Sequence, residues 1–220
     1  MREMAVFVMG VALAGAVAMV AVSTPGAGPE GKQERFPQIT VEKLTDAQKP
    51  VADKILKVSS IGLTGPYNPL LRSPLLTDRM LDLLDYLRFN SSVPKRLNEF
   101  AILIEARLWT SQVEWYAHYP MALKAGLSQA VADELKVGKR PSSMQPDEAV
   151  VYDILMELAA KHIVTDATFK RASDIFSEQQ ITDLVMVSGT YVGLAMLANT
   201  AEVGVPPGKT PPLAPLPSER

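Results

Sequence analysis

The stretch from residue 96 to residue 127 contains the side chains of this chain best suited to proton transfer. Glu114 and His118 are four residues apart, so they lie on one face of a helix, and Ser111 falls on the same side three residues earlier. A carboxylate beside an imidazole can move protons at neutral pH when burial and charge adjust the two groups. The same spacing also fits an exposed Glu–His contact worth roughly a few tenths of a kcal/mol.

Other residues near this stretch could bind a substrate. Arg72 could hold a substrate carboxylate through two parallel hydrogen bonds, because a planar guanidinium matches that group. Arg107 is interpreted as a surface or interface ion-pair residue. Trp109 and Trp115, the two tryptophans of the chain, could form aromatic walls or could simply pack in the core. Tyr67 could cap a pocket through its hydroxyl.

Composition excludes several kinds of site. The chain has no cysteine, which rules out disulfides, thiolate nucleophiles, cysteine zinc sites and iron–sulfur clusters. It has two histidines, so a multi-histidine metal centre is not expected, although Glu99, Glu114 and His118 could together hold a divalent ion. His162 near a helix end is interpreted as structural. The net charge of −2, without a basic cluster, argues against a nucleic-acid partner.

Helical periodicity runs through almost the whole body of the chain, and no alternating strand of useful length is found. The fold class is therefore all-α, with seven or eight helices. Their expected ranges are 50–58, 73–89, 92–108, 110–125, 128–137, 146–161, 166–176 and 178–200. The last of these is apolar on nearly all sides, so it must be buried centrally or shared with another subunit, which predicts an oligomer.

Both ends of the chain differ from this body. Residues 1–23 have the layout of a secretory signal peptide, with an uncharged run followed by small residues. An uncleaved membrane anchor or a buried core helix would also fit this run. Residues 24–39 are interpreted as a linker, residues 40–205 as one domain, and residues 206–220 as a proline-rich tail that is extended or disordered. We therefore expect an exported protein, periplasmic or secreted, that meets the membrane only if the leader is retained.

The stretch around His118 resembles the core motif of the carboxymuconolactone decarboxylase/AhpD-like family. That motif has a glutamate, a Cys-x-x-Cys pair beginning twelve residues later, and a histidine four residues after the second cysteine. Glu99 and His118 stand in this register, while Ser111 and Glu114 occupy the two cysteine positions. Further similarities, over roughly residues 40–206, are Gly65-Pro66-Tyr67, Leu71-Arg72-Ser73-Pro74, Ala125-Gly126-Leu127 and the late helix from Tyr191 to Asn199.

The resemblance has consequences for activity. AhpD-like proteins reduce peroxides through the cysteine pair, and a serine with a glutamate cannot form a disulfide or a sulfenic acid. What remains is similar to the decarboxylase branch: a cofactor-free lyase or isomerase acting on a small carboxylated lactone or phenolic ring compound. The resemblance implies catalytic roles for Glu99, Glu114 and His118, and a homo-oligomer, a trimer or a hexamer.

In the decarboxylation that this resemblance implies, Arg72 orients the substrate and His118 delivers a proton to the carbon that loses carbon dioxide. Glu114 adjusts His118, and Glu99 supports it. Tyr67, Arg72, Ser111 and Trp115 are the expected substrate-binding residues. The alternative is a non-catalytic helical oligomer of the cell envelope that binds a small ligand or a protein partner.

Overall fold

All regular structure in the computed structural model, which describes residues 35–59 and 62–216, is helical. The α-helices are α1 (Lys49–Val58), α2 (Tyr67–Leu70), α3 (Pro74–Asp85), α4 (Lys95–Leu108), α5 (Gln112–Lys124), α6 (Gln129–Lys136), α7 (Pro146–Lys161), α8 (Asp166–Ser173) and α9 (Glu178–Thr200). A 3-10 turn (Val41–Lys43) precedes α1, and a π-helical turn (Tyr86–Asn90) extends α3. The expected all-α class is confirmed within these ranges.

The eight expected helices are all present, and the ninth is the single turn α2, which is too short to give a periodic pattern. The expected signal peptide, residues 1–23, and most of the expected linker, residues 24–34, lie outside the described residues. Export and a periplasmic or secreted location therefore stay predictions.

Local sequence signals explain where the helices begin and end. Proline is the first residue of α3 and of α7, where its missing N–H would have no helical partner. Ser177 caps α9 by accepting from the Gln180 amide, and the Gln180 side chain accepts from the Ser177 amide in return. Gly126 follows α5 with a φ of 99°, a left-handed conformation that glycine adopts without strain.

Helix α4 lies at the centre of the described body, packed against α5, α6, α7 and α9. Every side chain from residue 97 to residue 107 is buried, including Glu99, Glu105 and Arg107. A helix enclosed on all sides must carry its polar groups into the interior. Arg107 is therefore not the surface residue expected from the sequence: it is 2% exposed and donates to the carbonyls of Lys136 and Ala214.

Helical spacing predicts that one face of α3 carries Leu76, Met80, Leu83, Leu84 and Leu87, but the structure buries only part of this stripe. Thr77, Leu81 and Leu84 are buried, and Leu81 joins a small core with α1. Leu76 and Leu83 are 53% and 36% exposed. Packing against α1 thus selects the side of α3 that contains a threonine, and several leucines remain at the surface.

Both terminal segments are held against the helices. Asn68 bonds the amide and the carbonyl of Ile39, which fastens the chain before α1 to α2. At the other end, the Gln112 side chain donates to the Leu213 carbonyl at 2.8 Å and accepts from the Leu213 amide at 2.9 Å. Leu213 itself is 4% exposed. The described part of the proline-rich tail contains no helix or strand, and it is docked through Leu213.

Candidate active site

A mostly apolar cavity of about 100 Å³ lies among α2, α3, α5 and α9. Its polar wall residues are Ser59, Tyr67, Arg88, Glu114, His118 and Tyr191. Three residues expected at the site from the sequence, Tyr67, Glu114 and His118, are among them. The cavity therefore brings together an imidazole, a carboxyl group, two phenols and a guanidinium in apolar surroundings.

His118 is fixed by Glu99 of the neighbouring helix. The distance from Nδ1 of His118 to Oε2 of Glu99 is 2.7 Å, and Nζ of Lys95 lies 2.8 Å from Oε1 of the same carboxylate. Burial raises the pKa of Glu99, but the contacts of His118 and Lys95 outweigh it, so the pKa is lowered overall. An ionised Glu99 accepts a hydrogen bond from Nδ1 of His118. Nε2 of the same ring is then the nitrogen with the free lone pair.

The family resemblance implies different roles for these residues, with Glu114 adjusting His118 and Glu99 supporting it. The direct partner of His118 is Glu99, nineteen residues away on α4. Glu114 and His118 lie on the same helix, and both line the cavity. Glu114 nevertheless forms no hydrogen bond with His118.

Glu114 is a buried carboxyl group without a compensating charge. It is 4% exposed, and neither carboxyl oxygen has a hydrogen-bond partner. Burial raises its pKa to about 8, an effect that the nearby Ser111 hydroxyl opposes and the charge of Glu105 reinforces. Ser111 is close enough to act on Glu114, yet its own buried hydroxyl does not reach a hydrogen-bond geometry. Glu114 is therefore a protonated acid at neutral pH.

Glu105 is a second buried carboxyl group, which the sequence analysis missed. Its Oε1 accepts a hydrogen bond of 2.6 Å from Ser188 of α9. Burial raises its pKa to about 7, partly opposed by this bond. A signal for it was available: Glu105 interrupts an otherwise apolar run in the middle of α4. It does not line the cavity, and it acts on Glu114 through its charge.

The guanidinium at the cavity belongs to Arg88 and not to Arg72. Arg72 donates to the carbonyls of Asn68, at 3.1 Å, and Pro37, at 2.6 Å, and stacks on the Phe36 ring. It fastens the segment before α1 and does not line the cavity. Arg88 lies on the π-helical turn and was not selected from the sequence, because the turn that places it at the wall has no clear sequence signal.

The remaining expected site residues have structural positions. Trp115 is 1% exposed and stacks on Tyr119 with ring centroids 6.0 Å apart, and Ser111 is fully buried at the start of α5; neither lines the cavity. Tyr191, which the sequence analysis did not select as a site residue, packs its ring at 87° to that of His118 with centroids 5.0 Å apart. Burial raises the pKa of Tyr191, so its hydroxyl keeps its proton.

Within residues 35–59 and 62–216 no three histidine, aspartate or glutamate side chains are grouped closely enough to hold a metal ion. Glu99 faces His118 and Lys95, and Glu114 stands apart from them on the cavity wall. The three groups are arranged as a hydrogen-bonded pair beside an isolated acid.

No family model matches the chain, and no curated protein matches it by sequence. Two bacterial proteins are among the solved structures that are similar to it in three dimensions. One is described as an alkylhydroperoxidase AhpD core, an uncharacterized peroxidase-related protein from Ralstonia eutropha JMP134; it has a TM-score of 0.65 and 16% identity, over 79% of this chain and 92% of that chain.

The other is a protein of unknown function from Agrobacterium tumefaciens, proposed to be an antioxidant defence protein AhpD. It has a TM-score of 0.56 and 15% identity, over 65% of this chain and 99% of that chain. Likeness at such low identity establishes the fold. This chain has the AhpD-like helical fold, as the spacing of Glu99, Ser111, Glu114 and His118 indicated.

Proposed function

We propose that this protein is a cofactor-free lyase or isomerase that transfers protons to or from carbon in a small carboxylated lactone or phenolic ring compound. The observation that carries the proposal is the placement of two complementary groups on one cavity wall. His118 presents Nε2 as a base because Glu99 holds Nδ1, and Glu114 is a protonated acid. A base and an acid prepared by different surroundings are what a two-step proton transfer requires.

In an isomerisation, Nε2 of His118 removes a proton from a carbon next to a carbonyl group. The electron pair of the broken C–H bond moves into the carbonyl to form an enolate. Glu114 then protonates the carbon at the far end of the conjugated enolate. The proton held by His118 returns to Glu114 through solvent. Each group ends in its starting state.

In a decarboxylation, the bond between the carboxylate carbon and the ring breaks, and its electron pair remains on the ring as an enolate. Glu114 supplies the proton that replaces carbon dioxide and is reprotonated from solvent. The apolar walls formed by Leu70, Leu84, Val113 and Leu194 favour loss of the charged carboxylate, because they solvate it less well than water does. Both reactions use Glu114 as the acid, and both pass through an enolate.

Thiol-dependent peroxide reduction does not fit this chain, although one similar solved structure is described as an alkylhydroperoxidase AhpD core. With no cysteine, the chain cannot form the sulfenic acid and the disulfide that such a cycle needs. Ser111 and Glu114 stand at the corresponding positions, and both are buried beside the cavity. The two side chains provide a hydroxyl and an acid in place of a redox pair.

The proposal is tested by incubating the purified chain with a panel of small lactones and phenolic acids and identifying products by mass spectrometry. We expect turnover of at least one of them, with incorporation of solvent deuterium at the carbon that is protonated. A parallel assay with an organic hydroperoxide and dithiothreitol should give no more consumption than buffer alone. Saturable binding without any turnover or deuterium exchange would favour the non-catalytic alternative instead.

We further propose that the protein is a homo-oligomer, as the apolar character of α9 suggested. Half of the most apolar 18-residue window of this helix is buried, and by length and composition alone it could cross a membrane. Its outer side nevertheless exposes Met186 and Met196, at 47% and 49%, together with Val185. A row of exposed apolar side chains on a long helix is typical of a surface covered by a partner.

Light scattering coupled to size-exclusion chromatography should give a mass that is a multiple of the chain mass. The double variant Met186→Glu/Met196→Glu should shift the mass towards one chain, because it places two charges in the proposed contact. Ile163→Glu, at a more exposed apolar position outside α9, should leave the mass unchanged. A wild-type protein with the mass of one chain at micromolar concentration would contradict the proposal.

A further inference from the structure

Arg88 stands on a wall shared by two cavities. The cavity at His118, called the inner cavity here, has Tyr67, Leu84 and Arg88 among its lining residues. The same three residues line a second cavity of about 190 Å³, called the outer cavity. A guanidinium in this position can contact a molecule in either space.

Within residues 35–59 and 62–216 the guanidinium of Arg88 has one hydrogen-bond contact and no ion pair. Its Nη1 lies 3.5 Å from the Tyr67 hydroxyl, its guanidinium lies 4.9 Å from the Phe89 ring centroid, and its buried Nε has no hydrogen-bond partner. No carboxylate among the described residues pairs with it. A half-buried cation without a counter-charge is unfavourable, and a bound anion would relieve that cost.

The other charges of the outer cavity leave Arg88 as the place for an anion. Lys54 is already paired with Asp78 and Asp82. Asp82 and Asp85 on the same cavity wall would repel an anion from its middle. Lys57 is exposed and also lines the outer cavity, but Arg88 is the cationic residue that lines both cavities.

Arg88 is also close to the reacting groups. Its positive charge acts on the Tyr191 hydroxyl, whose ring packs edge-on against His118. The residue lies in the π-helical turn Tyr86–Asn90, a kind of turn that is often found at functional sites. An anion bound at Arg88 would thus lie beside the space in front of His118 and Glu114.

We propose that Arg88 binds an anionic group of the substrate, and that the substrate has two parts: a compact ring in the inner cavity and a carboxylate on Arg88 at the shared wall. Larger substituents beyond the carboxylate extend into the outer cavity. The inner cavity, of about 100 Å³, is smaller than a cavity of about 150 Å³ that binds benzene, so of the substrates proposed above it favours a small lactone ring over a phenolic ring. The reacting end of this substrate rests on the function proposed above, whereas the binding of the anion does not.

The contact between Arg88 and a substrate carboxylate also determines which carboxylate can be lost as carbon dioxide. A carboxylate held by an arginine is stabilised in the ground state, which opposes loss of carbon dioxide from that same group. The carboxylate bound to Arg88 therefore serves only for binding and stays in the product. A decarboxylase with this site needs a substrate with a second carboxylate, whereas an isomerase needs only one.

The test uses 2-furoate, a five-membered ring with one carboxylate, and 2-furamide, its uncharged counterpart, in calorimetric titrations of the full chain. We expect wild-type protein to bind 2-furoate about tenfold more tightly than 2-furamide. Arg88→Met should remove this preference, and Arg88→Lys should keep part of it, because the charge remains but the two-point geometry is lost. Arg79→Met on exposed α3 surface is the matched control and should keep the full preference.

Equal affinity of wild-type protein for the two compounds would overturn the inference, as would a preference that survives in Arg88→Met. Neither result depends on turnover, so a failure here is distinct from a failure of the proposed reaction. His118→Asn should retain the preference even where catalysis is lost. With a turned-over substrate in hand, Arg88→Met should raise KM more than it lowers kcat.

Discussion

Replacing His118 by asparagine is expected to lower kcat for the isomerisation of a substrate identified in the panel by roughly 100-fold to 10,000-fold, the usual contribution of a general base. The substitution keeps a polar side chain of similar reach but removes the nitrogen that takes the proton. Glu99→Gln should give a smaller loss, because the imidazole remains but its Nδ1 no longer meets a carboxylate. Steady-state kinetics at saturating substrate check both expectations.

The chain offers a matched control in its other histidine. His162 is exposed after α7 with a φ of 61°, a left-handed conformation that asparagine tolerates well. His162→Asn should therefore retain wild-type kcat and thermal stability. Full activity in His118→Asn, or an equal loss in His162→Asn, would remove the basis for assigning His118 as the base.

The second large effect concerns Glu114 and the dependence of stability on pH. Its pKa is raised from an ordinary 4.5 to about 8 in the folded protein because the carboxyl group is buried. Below pH 4.5 the group is protonated in both states and has no effect. As pH rises towards 8, only the unfolded state ionises, so the free energy of unfolding falls, and above that value the loss is complete. The contribution is roughly 3–5 kcal/mol.

Glu114→Gln should abolish this part of the pH dependence, because an amide does not ionise. Chemical denaturation from about pH 5 to about pH 9 should show a flatter profile for the variant than for wild-type protein. The slope that remains reflects Glu105, whose pKa is also raised. Asp46→Asn, at an exposed side chain, should follow the wild-type curve. Parallel curves for Glu114→Gln and wild type would mean that Glu114 ionises normally and is not the acid of the site.

The sequence was sufficient for the features that depend on neighbours along the chain. Proline at the first position of α3 and α7, Ser177 before α9 and Gly126 after α5 each act within one helical turn, so their effects are readable locally. The register that joins Glu99 to His118 was also available, because it is a spacing within two consecutive helices.

The errors concern contacts between distant parts of the chain. Arg72 and Arg88 are both arginines at the end of a helical element, and only the packing of α2 and α3 decides which one faces the cavity. The partner of His118 was misassigned because spacing along one helix does not reveal what the neighbouring helix brings to the imidazole. Helix amphipathicity failed for α3 for the same reason: α1 covers one of two comparably apolar sides.

The bond between Gln112 and Leu213 has a consequence for how the protein is made. The two residues are 101 positions apart, and Gln112 is the first residue of the helix that carries Glu114 and His118. During synthesis that helix leaves the ribosome long before the residue that binds the Gln112 side chain. A polypeptide cut short before Leu213 would therefore contain the helix without this contact at its first residue.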